Sequence, residues 1–202
     1  MWAIVFVVLL LVGGGMASVP TSAVPLPRIQ SFYTTHRTLL ILGQALGIAA
    51  TLFFLGFAVA LGRRERRRGW QPAILFPAGT LVVLCSLATS VPPLWLAASY
   101  RPGAGLASSL TRAADLTDTA QFVAVAIFAG ALIARLQTRW LQIVSSLAGS
   151  LALGRAVISP LGVAALDVIA PLAFLAMVLM LGVEVLRAMP LLKDSPNRTA
   201  RS

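Results

Sequence analysis

Apolar residues fill this chain in long blocks, and polar positions are confined to short stretches between them. Leu39 to Leu61 runs for 23 residues without a charge, and Ala73 to Ala98 for 26. At 1.5 Å per residue, either run can cross a hydrocarbon core about 30 Å thick. The runs are apolar all round and do not alternate, whereas strands of a transmembrane barrel alternate over about ten residues with a polar lumen face. The pattern predicts six helices: Trp2 to Val19, Leu39 to Leu61, Pro72 to Ser90, Asp118 to Ala134, Leu141 to Ser159 and Val163 to Leu186. The expected fold is all-α, a polytopic transmembrane helical bundle over residues 1–190, with a basic disordered tail over 191–202. Gly15-Met16-Ala17 offers a signal cleavage site that would leave five helices, but no basic residue precedes Ala3, which favours retention of the first segment.

The connections follow from breakers and small residues. Pro20 to Arg37 holds three prolines and reads as a loop closing on interface aromatics. Val91-Pro92-Pro93 should end the third helix, because the residue before a proline is driven out of the helical region, and Pro77 should kink it. Ser99 to Thr117 reads as a loop with room for a short surface helix, and Asp118-x-x-Gln121 as the cap of the fourth helix. Gly43-x-x-x-Gly47 continued by Thr51, and Ala126, Gly130 and Ala134, form small-residue ridges suited to close helix packing. The fifth helix carries Ser145, Ser146, Gly149, Ser150 and Gly154, which argues for a central position.

Composition and charge then orient the bundle. The chain is 58% hydrophobic and 11% charged, with a mean hydropathy of +0.91, against about 25% charged residues in soluble domains. Arg63, Arg64, Arg66, Arg67 and Arg68 crowd the turn after the second helix, and short arginine-rich loops stay cytoplasmic. On this map eleven of the sixteen lysines and arginines fall on the cytoplasmic side and five outside. Both termini are then cytoplasmic, in the inner membrane of a bacterium. The net charge of +10 is absorbed by topology, so nucleic acid is not an expected partner. The expected partners are membrane lipids, with anionic lipid at the arginine turn, and a membrane-protein partner or a second copy of the chain. Cys85 and His36 are the only cysteine and histidine, which excludes an intramolecular disulfide, a cysteine zinc site and a bis-histidine haem within one chain.

Several of these features together resemble a family. They are the amino-terminal helix, the Phe32-Tyr33-Thr34-Thr35-His36-Arg37 element, the arginine-rich turn, the Asp118 to Gln121 helix opening and the Arg139-Trp140-Leu141 turn. The chain resembles the uncharacterised bacterial multi-pass proteins grouped as domain of unknown function 4386. Members carry Pro-x-Trp-Leu in the last turn, where this chain has Thr138-Arg139 before Trp140. The resemblance implies a fold and a location and brings no catalytic residues.

The candidate site residues are the few polar groups at membrane depth: Gln44, Gln121, Arg155 and Asp167, with Asp118 and His36 at the rim. A charge at the bilayer centre costs about 2.5 to 3.5 kcal/mol on insertion scales, so these groups should face the bundle interior or a water-filled pocket. Either they line a polar cavity opening outward, or each caps a helix or bonds a neighbour. Folded as a hairpin about Ser159-Pro160-Leu161-Gly162, position 155 falls opposite 166 or 167, so Arg155 and Asp167 should meet. Glu184 and Arg187, at i and i+3, read as an interfacial pair. No intramembrane protease or metal motif is present, so neither an enzyme nor a cofactor is expected. The leading function class is a non-enzymatic packing or interaction protein; the alternative is a small-solute or lipophile transporter built on the polar cavity and on Pro77 and Pro171.

Overall fold

The computed structural model describes residues 1–16, 19–67, 74–99, 103–136, 138–158 and 166–187, and among them the chain forms seven helices and no strand. The tail over 191–202, Arg68, Tyr100, the Ser159 to Gly162 turn and the Arg187 side chain lie outside the described residues. The helices are α1 (Trp2–Met16), α2 (Leu26–Thr35), α3 (Arg37–Arg67), α4 (Leu75–Ala98), α5 (Ala104–Ile133), α6 (Arg139–Ile158) and α7 (Leu166–Arg187). The all-α class is as expected. Five of the helices, α3 to α7, are long and apolar enough to cross a membrane, and α1 is a shorter apolar helix of 15 residues. The protein thus has the build of a multi-pass membrane protein.

Six of the helices close a ring. α1 packs on α3, α3 on α4, α4 on α5, α5 on α6, α6 on α7, and α7 returns to α1. Since lipid tails are as apolar as leucine, such a ring is held by close van der Waals fit rather than by escape from water. The sequence supplies that fit with small residues. A Cβ built on Gly79 of α4 would stand 2.6 Å from the Ala58 Cβ of α3, and one on Gly182 of α7 would stand 2.7 Å from the Ala3 Cβ of α1. Phe54 fills the middle, with its ring 5.2 Å from Phe6, 5.5 Å from Phe128 and 5.7 Å from Phe174.

The arginine block marks one end of this ring. At 31 residues α3 is about 46 Å long, which exceeds a hydrocarbon core of about 30 Å, so Arg63 to Arg67 continue the helix beyond Gly62, which still packs on Phe76 of α4, instead of forming a turn. α5, with 30 residues, overshoots at the opposite end, and α2 lies there against α3, α4 and α5.

Three connections and the placing of one helix differ from the sequence reading. Pro20 to Arg37 contains a helix: Pro25 and Pro27 sit at its cap and first turn, where a missing N–H costs nothing, and Ile29 and Tyr33 bury one face. α4 runs on through Pro92 and Pro93, both buried, as helices of membrane proteins tolerate; Pro77 stands in its first turn and kinks nothing. α5 starts fourteen residues earlier than expected, after Gly103, so Asp118 is mid-helix and caps nothing. α6 is the least enclosed of the five long helices. Ser145, Ala148 and Ala152 face its neighbours, while Ser146 and Ser150 point away from the bundle.

Candidate functional site

The Gly43, Gly47 and Thr51 ridge of α3 does two things. Gly43 accepts another helix, since a Cβ there would stand 3.0 Å from the Gly13 carbonyl oxygen of α1. Gly47, one turn on, has nothing within 4 Å of an added Cβ, and neither has Gly14 of α1. These two glycines, with Gly13, Gly43 and Thr51, form one wall of a cavity of about 210 Å³ inside the ring. α4 contributes Val82, Ser86, Thr89 and Ser90, α5 contributes Gln121, Phe122 and Val125, and α7 contributes Pro171 and Phe174. Phe6 and Phe54 close it towards the arginine end. Gln44 to Phe54 measures about 15 Å along α3, so the cavity lies beside the uncharged middle of that helix, nearer the α2 end.

Its polar lining is neutral. The Thr51 hydroxyl donates to the Gly47 carbonyl at 2.9 Å, and the Ser90 hydroxyl to the Ser86 carbonyl at 3.2 Å. The Thr89 hydroxyl donates to the Ser86 carbonyl at 2.8 Å and shares its proton with Gln121 Oε1 at 3.2 Å. Hydroxyls bonded back to their own helix spend their proton there and present lone pairs. Among the described residues, the Ser86 hydroxyl, the Gln44 amide and Gln121 Nε2 have no protein hydrogen-bond partner, so all three offer donors to the cavity.

The charged candidates gather beside the cavity rather than in it. Arg155 of α6 donates from Nη1 to Asp118 Oδ2 of α5 at 2.7 Å and from Nε to Asp167 Oδ1 of α7 at 3.1 Å. Its guanidinium also lies 3.9 Å from the centre of the Phe122 ring, a cation–π contact that puts Phe122 against the triad while the same residue lines the cavity. The three charges tie α5, α6 and α7 at the α2 end. Of the five polar candidates, Gln44 and Gln121 therefore line the cavity, whereas Asp118, Arg155 and Asp167 form an ion triad. Among the described residues no three histidines, cysteines or carboxylates gather closely enough to hold a metal ion. Arg63 is exposed at the arginine end.

α2 covers part of the ring's other end. Ile29, Tyr33, Leu40, Leu96, Ala97 and Ala107 form a second apolar cluster there. Tyr33 is 2% exposed, and its hydroxyl has no partner among the described residues; burial first, and then the nearby Asp115 carboxylate, push it up to about 12. Asp115 itself accepts from the Ser22 backbone N–H at 3.0 Å. His36 stacks on Phe32 at 4.7 Å and its Nδ1 lies 3.2 Å from the Phe32 carbonyl oxygen, so it serves the α2 corner and not the cavity.

Sequence reasoning missed Ser86, Thr89 and Ser90 because short hydroxyl residues barely disturb an apolar run. A spacing signal was present: positions 86 and 90 share a helix face, as do Gln44, Gly47 and Thr51 on α3. Compared with protein-family models, with curated proteins and with solved structures, the chain gives no match.

Proposed function

We propose that this chain is a non-enzymatic integral membrane protein of a bacterial inner membrane, of the multi-pass kind it resembles in sequence, which binds a small molecule in the cavity between α1, α3, α4, α5 and α7. The observation that carries this reading is the lining: glycines at 14 and 47 hold the space open, and Gln44 and Gln121 reach it from facing helices. A ring built only for packing would fill that volume, since a void forfeits the contacts on which membrane helices depend. With the arginine end cytoplasmic, the cavity lies in the outer half, as a carrier or binding protein open to the outer leaflet requires. Mass spectrometry of small molecules extracted with the full chain from native membranes tests it. A compound bound by the wild type and absent from Gly47→Ile supports the reading; identical extracts from both contradict it.

A packing role is the second reading, and one observation favours it. Gly130 and Ala134 of α5 are exposed, and a Cβ on Gly130 would meet open space, so this ridge is free to receive a helix of another membrane protein or of a second copy. Cross-linking between cysteines placed at Gly130 would report the second copy.

A further inference from the structure

The cavity's chemistry narrows what it holds. We infer that its occupant is an uncharged, fragment-sized lipophile bearing one hydrogen-bond-accepting group, a carbonyl or an ether, held by the Gln44 and Gln121 amides and the Ser86 hydroxyl. This rests on the binding reading above and adds the ligand class to it.

Size comes first. About 210 Å³ lies below the roughly 300 to 1,000 Å³ of sites for drug-sized molecules, so a single ring with a short substituent is the natural scale. Charge comes next. Every polar group on the wall is neutral, and the nearby cation, Arg155, already spends Nη1 and Nε on two carboxylates and is screened by Phe122. An anion would find no free positive charge. A cation would find the carboxylates committed on the other side of that ring, and burying an unpaired charge is costly.

Polarity completes the argument. The hydroxyls of Thr51, Thr89 and Ser90 are turned to helix carbonyls, so the donors left for a guest are the Ser86 hydroxyl on α4 and the two amides, one on α3 and one on α5. Phe6, Phe54 and Phe174 give its remaining body an aromatic bed. The ring also offers a way in from lipid. α1 and α7 meet at the arginine end, where Gly182 backs onto Ala3, and edge-to-face at Phe6 and Phe174, 6.1 Å apart; nearer the α2 end, Gly14 and Pro171 both line the cavity.

Thermal unfolding of the purified full chain in detergent, with millimolar additions of acetophenone, ethylbenzene, benzoate or benzylamine, tests this. Acetophenone should raise the midpoint. Ethylbenzene, which lacks the acceptor, should bind about fivefold more weakly, and the two charged analogues should give no shift. Gly47→Ile and Gly14→Val, whose added groups enter open space, should each abolish the acetophenone shift, and Gln44→Leu with Gln121→Leu and Ser86→Ala should equalise acetophenone and ethylbenzene. A Gly47-dependent shift with benzoate or benzylamine, or equal shifts with acetophenone and ethylbenzene in the wild type, overturns the ligand class and leaves cavity binding standing. If none of the four compounds gives a Gly47-dependent shift, the binding reading itself falls.

Discussion

Arg155 and Asp118, 37 positions apart in sequence, meet at 2.7 Å, and the same guanidinium takes Asp167 at 3.1 Å. One cation therefore holds two carboxylates from different helices. The arginine side chain is 13% exposed, against 39% and 42% for the aspartates, so its loss strands two partly buried carboxylates near each other. Asp167→Ala should cost about 1 kcal/mol and Arg155→Ala about 2 to 3 kcal/mol, below the 3 to 5 kcal/mol of a fully buried pair because solvent screens part of the charge. In Arg155→Ala, adding Asp118→Ala should recover part of the loss. Thermal melts in detergent of these three variants and of Asp118→Ala alone check this, and strictly additive losses would mean the charges do not act together.

Two glycines should respond in opposite ways to the same methyl group. At Gly79 an added Cβ lands 2.6 Å from the Ala58 Cβ, so Gly79→Ala should destabilise by about 1 to 3 kcal/mol as α3 and α4 are forced apart. At Gly47 it meets nothing within 4 Å, so Gly47→Ala should be neutral or should gain up to about 1 kcal/mol of helix propensity. Melting temperatures measured side by side decide it; equal losses would mean that Gly47 is packed.

The chain's own pattern made the helical class legible, because long uncharged runs are strong signals in an apolar sequence. The Arg155 to Asp167 distance also follows from counting residues around a tight hairpin. Asp118 joining them does not, since reading it as a cap required a loop where α5 is continuous. Pro92-Pro93 and Pro25-x-Pro27 misled in opposite directions: membrane helices tolerate the first pair inside, and the second pair starts a helix. Ser146 and Ser150 suggested a central α6, yet small residues mark lipid-facing surface as readily as a packed one. The closing contact of α7 on α1 leaves no local trace, so the cavity it encloses was invisible beyond Gln44 and Gln121.

Tyr33 should titrate late. Its hydroxyl rises from an ordinary value of 10.0 to about 12 because burial disfavours the phenolate and Asp115 repels it. A folded value above the unfolded one means that this contribution to stability is complete below pH 10 and is lost as pH rises through 12. In a Tyr100→Phe background, phenolate absorbance should appear near pH 12. Because the hydroxyl is buried without a partner among the described residues, Tyr33→Phe should be neutral or slightly stabilising. A titration midpoint near 10 would show Tyr33 in contact with water.

Orientation rests on the arginine block. Cysteines introduced singly at Gly69 and Gly105, in a Cys85→Ala background, should differ towards an impermeant thiol reagent applied to intact cells. Gly105, beside the start of α5, should label, and Gly69 should not. The opposite pattern would invert the map and place the cavity in the inner half.

The central claim is that a small neutral molecule reaches a space at Gly47 in the middle of an otherwise packed ring. In a Cys85→Ala background, Gly47→Cys should react readily with neutral methyl methanethiosulfonate, and acetophenone should slow the reaction. Ala50→Cys, at a position with 0% exposure three residues further along the same helix, should react at least tenfold more slowly. Equal slow rates at both positions, or a Gly47→Cys rate that acetophenone does not change, would contradict the account.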